Sequence, residues 1–387
     1  MEVFMLNISD YCVPGTIWPG IISYVQNHLK KYPQIPAKSF SDDDLLNLLK
    51  KNAKSVLPAN EYDAFRKAVT ALKKRTAGSL KKENLYRLCY VLSLESDTQA
   101  QNLFLNYLHQ NELSARSLDE FILIACLKLQ LSWEETSKLR KAYQQQILSQ
   151  PISPDHLTEG QTAEAYRTVI NDMIHTKEDL ILFLDNPDNL SFFAKTRNTQ
   201  YLALFDDLEL ELLYNADQKQ IVKLVTDYGS SEKESVLDYY HSLFGLQDDN
   251  SKDCLSDQEI TLLCDKFEHV FMTYDNFCLL VQRKRPIDIS SGTFMLNLLK
   301  KLLTEERDFE HDFYVDFLDP DDFIDVCNDI LIYFGFPILN PDCDNFDRLL
   351  LDVYQETLNE NPSVSNPCFQ KIYMQNLRNY LKQIAHI

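Results

Sequence analysis

Apolar residues recur at steps of three and four along most of the chain, and no alternation with a period of two persists over a useful length. Steps of three and four place apolar side chains on one face of an α-helix. Helix starts are indicated by Ser-x-x-Glu sequences, whose hydroxyl and carboxylate bond the free amides of a first turn. These sequences are Ser117/Glu120, Ser132/Glu135, Ser231/Glu234 and Ser256/Glu259. The pattern therefore predicts an all-α, multi-helical fold.

Three polar stretches interrupt the helical pattern, at 55–60, 149–162 and 245–256. Pro and Gly punctuate the second of them, which is typical of a boundary between packed segments. A separate helix is predicted over 43–52. We expect four parts in the chain: an N-terminal helical segment (1–60), a first repeat unit (61–150), a helical middle segment (151–255) and a second repeat unit with an acidic insertion (256–387).

The two repeat units are predicted from features that recur in the same order. With the first copy before the second, these are YDAF 62–65 and YDNF 274–277, Lys-Arg 74–75 and 284–285, 102–108 and 328–334, and 119–122 and 347–350. The spacing between copies grows along the chain, which indicates an insertion at 305–322. Internal self-similarity of this kind is typical of duplicated helical units. The alternative is that two amphipathic stretches align by chance.

The segment 61–93 resembles the later part of a lambda-repressor-like (Xre-type) helix-turn-helix domain. In this resemblance 62–72 corresponds to the recognition helix, 73–75 (Lys-Lys-Arg) to the basic link and 84–94 to a closing helix. The second copy resembles it over 274–303, and 94–143 is similar to helical extensions behind such domains in Firmicute proteins. The resemblance implies a compact all-α domain whose recognition helix commonly enters the DNA major groove.

Composition favours helices and a reducing compartment. The chain has only 8 Gly and 14 Pro in 387 residues, few for a fold that depends on tight turns. Its nine Cys are odd in number and scattered, which favours reduced thiols over a disulfide framework. No signal peptide is predicted at 1–20, and no apolar stretch is long enough to span a membrane. We expect a cytoplasmic protein without a membrane partner.

A basic window at 60–90 has a formal charge of +5 in a chain whose net charge is −20. Its candidate binding residues, for phosphates or an acidic partner surface, are Arg66, Lys67, Lys73, Lys74, Arg75, Lys81 and Lys82. The alternative is a solvated helix face whose cations complement a helix dipole. The remaining negative charge of the chain opposes DNA binding.

An acidic run at 305–329 contains eleven carboxylates against one arginine and is interleaved with aromatic residues. The candidate partner-binding residues there are Phe309, Phe313, Tyr314 and Phe317. Aromatic anchors among carboxylates suit a basic groove, either of a partner protein or in the basic window itself. A charged surface helix with an apolar core stripe is the alternative.

Catalytic and metal-binding motifs are absent from the sequence. The nearest group of possible metal ligands is Cys254, Cys264, His269 and Cys278, which lacks the spacing of a zinc site. No glycine-rich phosphate loop occurs. We therefore expect no catalytic residue, cofactor or metal, and predict a regulatory or defence-related protein that binds a partner protein through helical surfaces. The alternative is a DNA-binding regulator of the helix-turn-helix type.

Overall fold

The computed structural model describes a subset of the chain in detail. The described residues are 17–33, 35, 40–74, 80–108, 110, 113–149, 163–202, 255–256, 258–259, 262–263, 295, 320–334, 336–342, 344–360 and 367–386. They include thirteen α-helices and no β-strand. The predicted all-α, multi-helical fold is confirmed.

Ten of these helices lie before residue 203 and three follow residue 319. The first ten are α1 (Ile17–Asn27), α2 (Asp42–Val56), α3 (Ala59–Lys73), α4 (Lys82–Val91), α5 (Asp97–Asn106), α6 (Leu118–Lys128), α7 (Trp133–Ser149), α8 (Ala163–Met173), α9 (Lys177–Asp185) and α10 (Pro187–Leu202). The other three are α11 (Pro320–Phe334), α12 (Asn345–Glu360) and α13 (Pro367–His386).

The chain divides into two compact units, and the division falls within α10, after Thr196. The first unit contains the described residues from 17 to 196, and the second contains those from 197 to 386. The predicted helix at 43–52 lies within α2 of the first unit. The division into repeat units 61–150 and 256–387 stays a prediction, because 264–294 and 296–319 lie outside the described residues.

Helix α6 is the central helix of the first unit. Every residue from 118 to 127 is buried, and α5, α7 and α8 all contact this helix. Its sequence, LDEFILIACLK, is apolar on all sides after the first turn, which is the pattern of a helix enclosed by others. Enclosure also buries the two carboxylates of its first turn, Asp119 and Glu120, which therefore need cationic partners.

The predicted capping boxes have different outcomes. At Ser132/Glu135 and Ser256/Glu259 both reciprocal hydrogen bonds are present. At Ser117 the side chain makes no cap bond, so this box was wrong. The carboxylate of Glu120 instead contacts Tyr86 and Lys82, which are distant in sequence and are described below. Ser231/Glu234 lies outside the described residues.

Helix α1 packs against the end of α5 through a glycine. A Cβ on Gly20 would lie 1.9 Å from the carbonyl oxygen of Tyr107, the residue that caps α5. The contact is between backbones, so a rotamer change cannot relieve it.

We expect Gly20→Ala to destabilise the first unit by about 1–3 kcal/mol, as overpacking does. The usual effect has the opposite sign, because Ala favours a helix over Gly by about 1 kcal/mol. Urea unfolding followed by tryptophan fluorescence measures this, since both tryptophans, Trp18 and Trp133, are buried in the first unit. Ser23→Ala, on the exposed side of α1, is the control and should have almost no effect. Equal stability of the two variants would show that α1 is not held at this distance.

A pair of hydrogen bonds holds the loop between α5 and α6. The amide of Leu113 donates to Oε1 of Gln101 over 3.2 Å, and the next amide, of Ser114, donates to Oε2 of Glu120 over 2.5 Å. The side chains come from the helix before the loop and from the first turn of the helix after it. Two consecutive loop amides are thereby satisfied without regular structure.

The same arrangement recurs in the second unit, between α11 and α12. The amide of Leu339 donates to Oδ1 of Asn328 over 2.8 Å, and that of Asn340 donates to Oδ2 of Asp347 over 2.7 Å. Burial, reinforced by the neighbouring charge of Asp344, raises the pKa of Asp347 well above its ordinary value. In the second unit α12 packs against both α11 and α13, and Tyr354 of α12 stacks on Phe323 of α11 with ring centroids 4.1 Å apart.

Candidate functional site

The basic window is spread over α3 and α4, and several of its charges are neutralised inside the fold. Arg66 lies 3.4 Å from a carboxylate oxygen of Asp63, and Lys73 pairs with Asp43 of α2. Lys82 reaches across to Glu120 of α6, with 2.6 Å between Nζ and Oε1. Three of the seven candidate residues therefore carry charges that the first unit itself offsets.

The other four candidates differ in their placement. Lys67 and Lys74 are exposed and have no carboxylate partner among the described residues. Lys81 is exposed at the start of α4, and Arg75 lies outside the described residues. The aromatic candidates Phe309, Phe313, Tyr314 and Phe317 also lie outside them, so their role as a partner surface stays a prediction.

Behind the basic window, a buried carboxylate joins α3, α4 and α7. Oε2 of Glu61 accepts a hydrogen bond of 2.6 Å from the indole Nε1 of Trp133 and one of 3.1 Å from Nε of Arg87. Burial alone would raise the pKa of Glu61, but these bonds and the charge of Arg87 outweigh it and lower the pKa. Glu61 therefore stays ionised and holds Trp133 against α3.

A second ion-pair centre lies at Arg140 of α7. The guanidinium donates to both carboxylate oxygens of Asp119 over 2.8 and 2.6 Å, and it also donates to Oε2 of Glu83 over 2.7 Å. It lies over the ring of Tyr86, 4.8 Å from the centroid. Burial alone lowers the pKa of Arg140, but the two carboxylates raise it well above its ordinary value.

These centres form a network in which every carboxylate has a cationic partner. Glu120 completes it by accepting a 2.7 Å hydrogen bond from the Tyr86 hydroxyl in addition to the contact with Lys82. Such a network positions α3, α4, α6 and α7 relative to one another. Three of its carboxylates, Glu61, Asp119 and Glu120, are buried against their partners and resemble a structural set more than an acid–base pair.

Reactive thiols and metal ligands do not assemble in the described part of the chain. Burial raises the pKa of Cys89 to about 12 and that of Cys126 to about 11, so both thiols stay protonated at neutral pH. No group of three or more His, Cys, Asp or Glu side chains there is arranged to hold a metal ion. None of the helices described is both long and apolar enough to cross a membrane.

Helix α9 presents a different kind of surface. Two polar contacts with α7 hold α9, one on its inner side and one at its last residue: Lys177 pairs with Glu135 over 2.7 Å, and the Tyr143 hydroxyl donates to Asp185 over 2.7 Å. The bonds from Lys177 and Ser132 lower the pKa of Glu135 to about 2. Leu180 and Leu184 are buried on the same inner side.

The outer side of α9 carries apolar side chains that face solvent. Leu182 is 74% exposed and Ile181 is half-buried. Met173, the last residue of α8, is 62% exposed. We call Glu178, Ile181, Leu182 and Asp185 the α9 surface. Single exposed apolar side chains are common on protein surfaces, so it is the combination of Leu182 with the adjacent Ile181 on a helix held against α7 that makes this face a candidate contact surface.

The position of α8 is set by a lysine at its C-terminal end. Nζ of Lys128, from α6, lies 2.5 Å from the carbonyl oxygen of Ile170, 3.0 Å from that of Asn171 and 3.1 Å from that of Ile174. The last carbonyls of a helix lack intrahelical donors, and a cation there also complements the helix dipole. Lys128 thereby anchors the turn that leads into α9.

We expect Lys128→Met to lower the free energy of unfolding of the first unit by about 1.5–3 kcal/mol, the range for hydrogen bonds to a charged group. Faster amide hydrogen exchange over 163–185 should accompany the loss. Lys51→Met, on the exposed side of α2, is the matched control and should leave both quantities unchanged. An unchanged exchange pattern in Lys128→Met would show that the lysine does not anchor α8.

Sequence reasoning did not find the α9 surface, although a signal was present. The run Leu-Ile-Leu-Phe-Leu at 180–184 leaves this nine-residue helix with no polar position in its middle. A short helix packed on one side cannot bury five consecutive apolar residues, so at least one must face solvent.

No family model, no curated protein and no solved structure matches the chain.

Proposed function

We propose that the protein is a non-catalytic regulatory or defence-related protein that binds a partner protein stoichiometrically. The observation that carries this proposal is the exposure of Leu182 on a helix that Lys177 and Asp185 hold against α7. A surface that is already ordered loses little conformational entropy on binding, which favours a stable complex.

The polar network supports the same proposal, because its buried carboxylates are already paired with cations. Glu61, Asp119 and Glu120 are buried and paired with Arg87, Arg140 and Lys82. Groups held in this way fix α6 and α7, which contact α8 and α9. Chemistry on a substrate would require a carboxylate or base with a free side, in a place that a substrate can reach.

The alternative is a DNA-binding regulator of the helix-turn-helix type. It is favoured by the short connection of Leu57 and Pro58 between α2 and α3, and by the exposed cations Lys67 and Lys74 on α3 and its C-terminal end. Ion pairs at Arg66, Lys73 and Lys82 weaken it, because a cation already paired with a carboxylate gains less from a phosphate.

Site-specific photo-crosslinking tests the proposal. A photoreactive phenylalanine at position 182 is expected to capture one partner protein in a one-to-one adduct. The same group at position 338, where Ile338 is 49% exposed in the second unit, is the control and should not capture that protein. Capture of the same proteins from both positions, or of none from position 182, would contradict the proposal.

Fluorescence anisotropy with a DNA duplex tests the alternative. We expect weak binding by the intact protein and little difference for the triple variant Lys73→Ala, Lys74→Ala, Arg75→Ala. A DNA-binding regulator would instead bind tightly, lose affinity steeply between about 50 and about 200 mM salt, and lose this salt dependence in the triple variant.

A further inference from the structure

We propose that the α9 surface takes a cationic amphipathic helix of the partner protein, with apolar residues along its centre and Lys or Arg at its sides. This inference rests on the proposed function and adds the chemical class of the segment that is bound. Helix-in-groove recognition of this kind uses a few apolar anchors at helical spacing.

The apolar part of the α9 surface is narrow, and a carboxylate side chain lies at each end of it. Glu178 precedes Leu182 by four residues and Asp185 follows it by three, so all three lie on one face of α9. Ile181 is adjacent, and both carboxylates are exposed. A partner that covers Leu182 therefore meets a negative charge at either end of the contact.

The surroundings of the surface strengthen this negative field. Residues 163–196 contain six carboxylates and three cationic side chains, a formal charge of −3. Two of those cations are already engaged, since Lys177 pairs with Glu135 and Arg167 donates to the carbonyl of Leu113. The net charge of the whole chain, which includes this segment, is −20. A negative charge of this size speeds encounter with a cationic partner and slows encounter with an acidic one.

A second copy of the chain fits this surface poorly. The basic window would be the natural match, but Arg66, Lys73 and Lys82 are paired within their own unit. Two chains of charge −20 also repel each other at long range. The charge pattern thus favours a cationic segment of another protein.

Titration with a synthetic peptide tests the inference on the full chain. The probe is a Lys/Leu peptide whose leucines recur at helical spacing, and the comparison peptide has the same composition in shuffled order. We expect the helical peptide to bind more tightly than the shuffled one. Leu182→Ser should weaken binding of the helical peptide about tenfold, as removal of an interface anchor does. Glu178→Gln should weaken it about threefold, with a smaller effect at high salt.

Two control variants separate this surface from the overall charge. Ile338→Ser and Glu360→Gln remove an exposed apolar side chain and an exposed carboxylate from the second unit, and both should leave the affinity unchanged. Equal binding of both peptides, or equal effects of test and control variants, would overturn the inference. If crosslinking at position 182 still captures a partner in that case, the proposed function stands and only the chemical class of the partner is wrong.

Discussion

Replacement of Arg140 by Met is expected to lower the free energy of unfolding of the first unit by about 3–5 kcal/mol, the range for removing one partner of a buried ion pair. The loss arises because Asp119 stays buried while its principal cation is gone, leaving it with the side-chain amide of Gln144. The guanidinium also packs over Tyr86 and Trp133, and these contacts are lost as well. Urea unfolding followed by tryptophan fluorescence measures the change.

Two further variants show whether the loss comes from the unpaired charge. Lys138→Met, also on α7, breaks an exposed pair with Glu134 and should cost no more than about 1 kcal/mol. The double variant Arg140→Met, Asp119→Leu should be more stable than Arg140→Met alone, since neither charge is then stranded. A double variant less stable than the single one would refute the assignment of the loss to Asp119.

Phe121→Ala is the second substitution for which we expect a large effect. It should lower the free energy of unfolding of the first unit by about 3–5 kcal/mol. Phe121 is fully buried on α6, and its ring lies 5.2 Å from that of Phe183 of α9, 5.1 Å from that of Phe193 of α10 and 6.0 Å from that of Tyr166 of α8. One side chain thus joins the central helix to the three helices that carry and support the α9 surface.

Hydrogen exchange shows where the effect of Phe121→Ala is felt. We expect amides over 163–196 to exchange faster in this variant than in Phe65→Ala, because Phe65 is equally buried but lies on α3. A region that opens as a cooperative unit responds most to loss of its own contacts. Identical exchange patterns in the two variants would mean that α8, α9 and α10 are not held through Phe121.

Much of the helical fold could be predicted from local sequence. The period of apolar residues and the Ser132/Glu135 box depend on residues three or four apart, so their outcome is decided within one element. The Ser117/Glu120 box failed for a nonlocal reason. Glu120 is buried with Tyr86 and Lys82, which lie more than thirty residues earlier and compete for the same carboxylate.

The alignment predicted between the two repeat units differs by one residue from the recurring hydrogen bonds. The alignment paired Asn102 with Asn328, whereas Gln101 is the residue that holds the loop as Asn328 does. Likewise Glu120, and not Asp119, makes the bond that corresponds to that of Asp347. Amphipathic patterns tolerate such shifts, because neighbouring positions of a helix can exchange polar roles. The division into two repeat units itself stays a prediction.

The candidate site was less accessible from sequence. The composition of the sequence indicates the basic window. Its charge partners Asp43 and Glu120 lie in other helices, so these ion pairs could not be predicted from local sequence. The α9 surface depends on which side of a short apolar helix the core leaves open. The contacts with α7 and with Lys128 decide which side of α9 faces solvent. These contacts join residues that are far apart in sequence, so the open side depends on the tertiary structure.

The most direct test of partner binding through α9 is isothermal titration of the purified protein with the partner recovered by crosslinking at position 182. The account predicts saturation at one partner per chain, at least about tenfold weaker binding for Leu182→Glu, and unchanged binding for Ile338→Glu. Equal affinity of the protein and its Leu182→Glu variant would contradict the account.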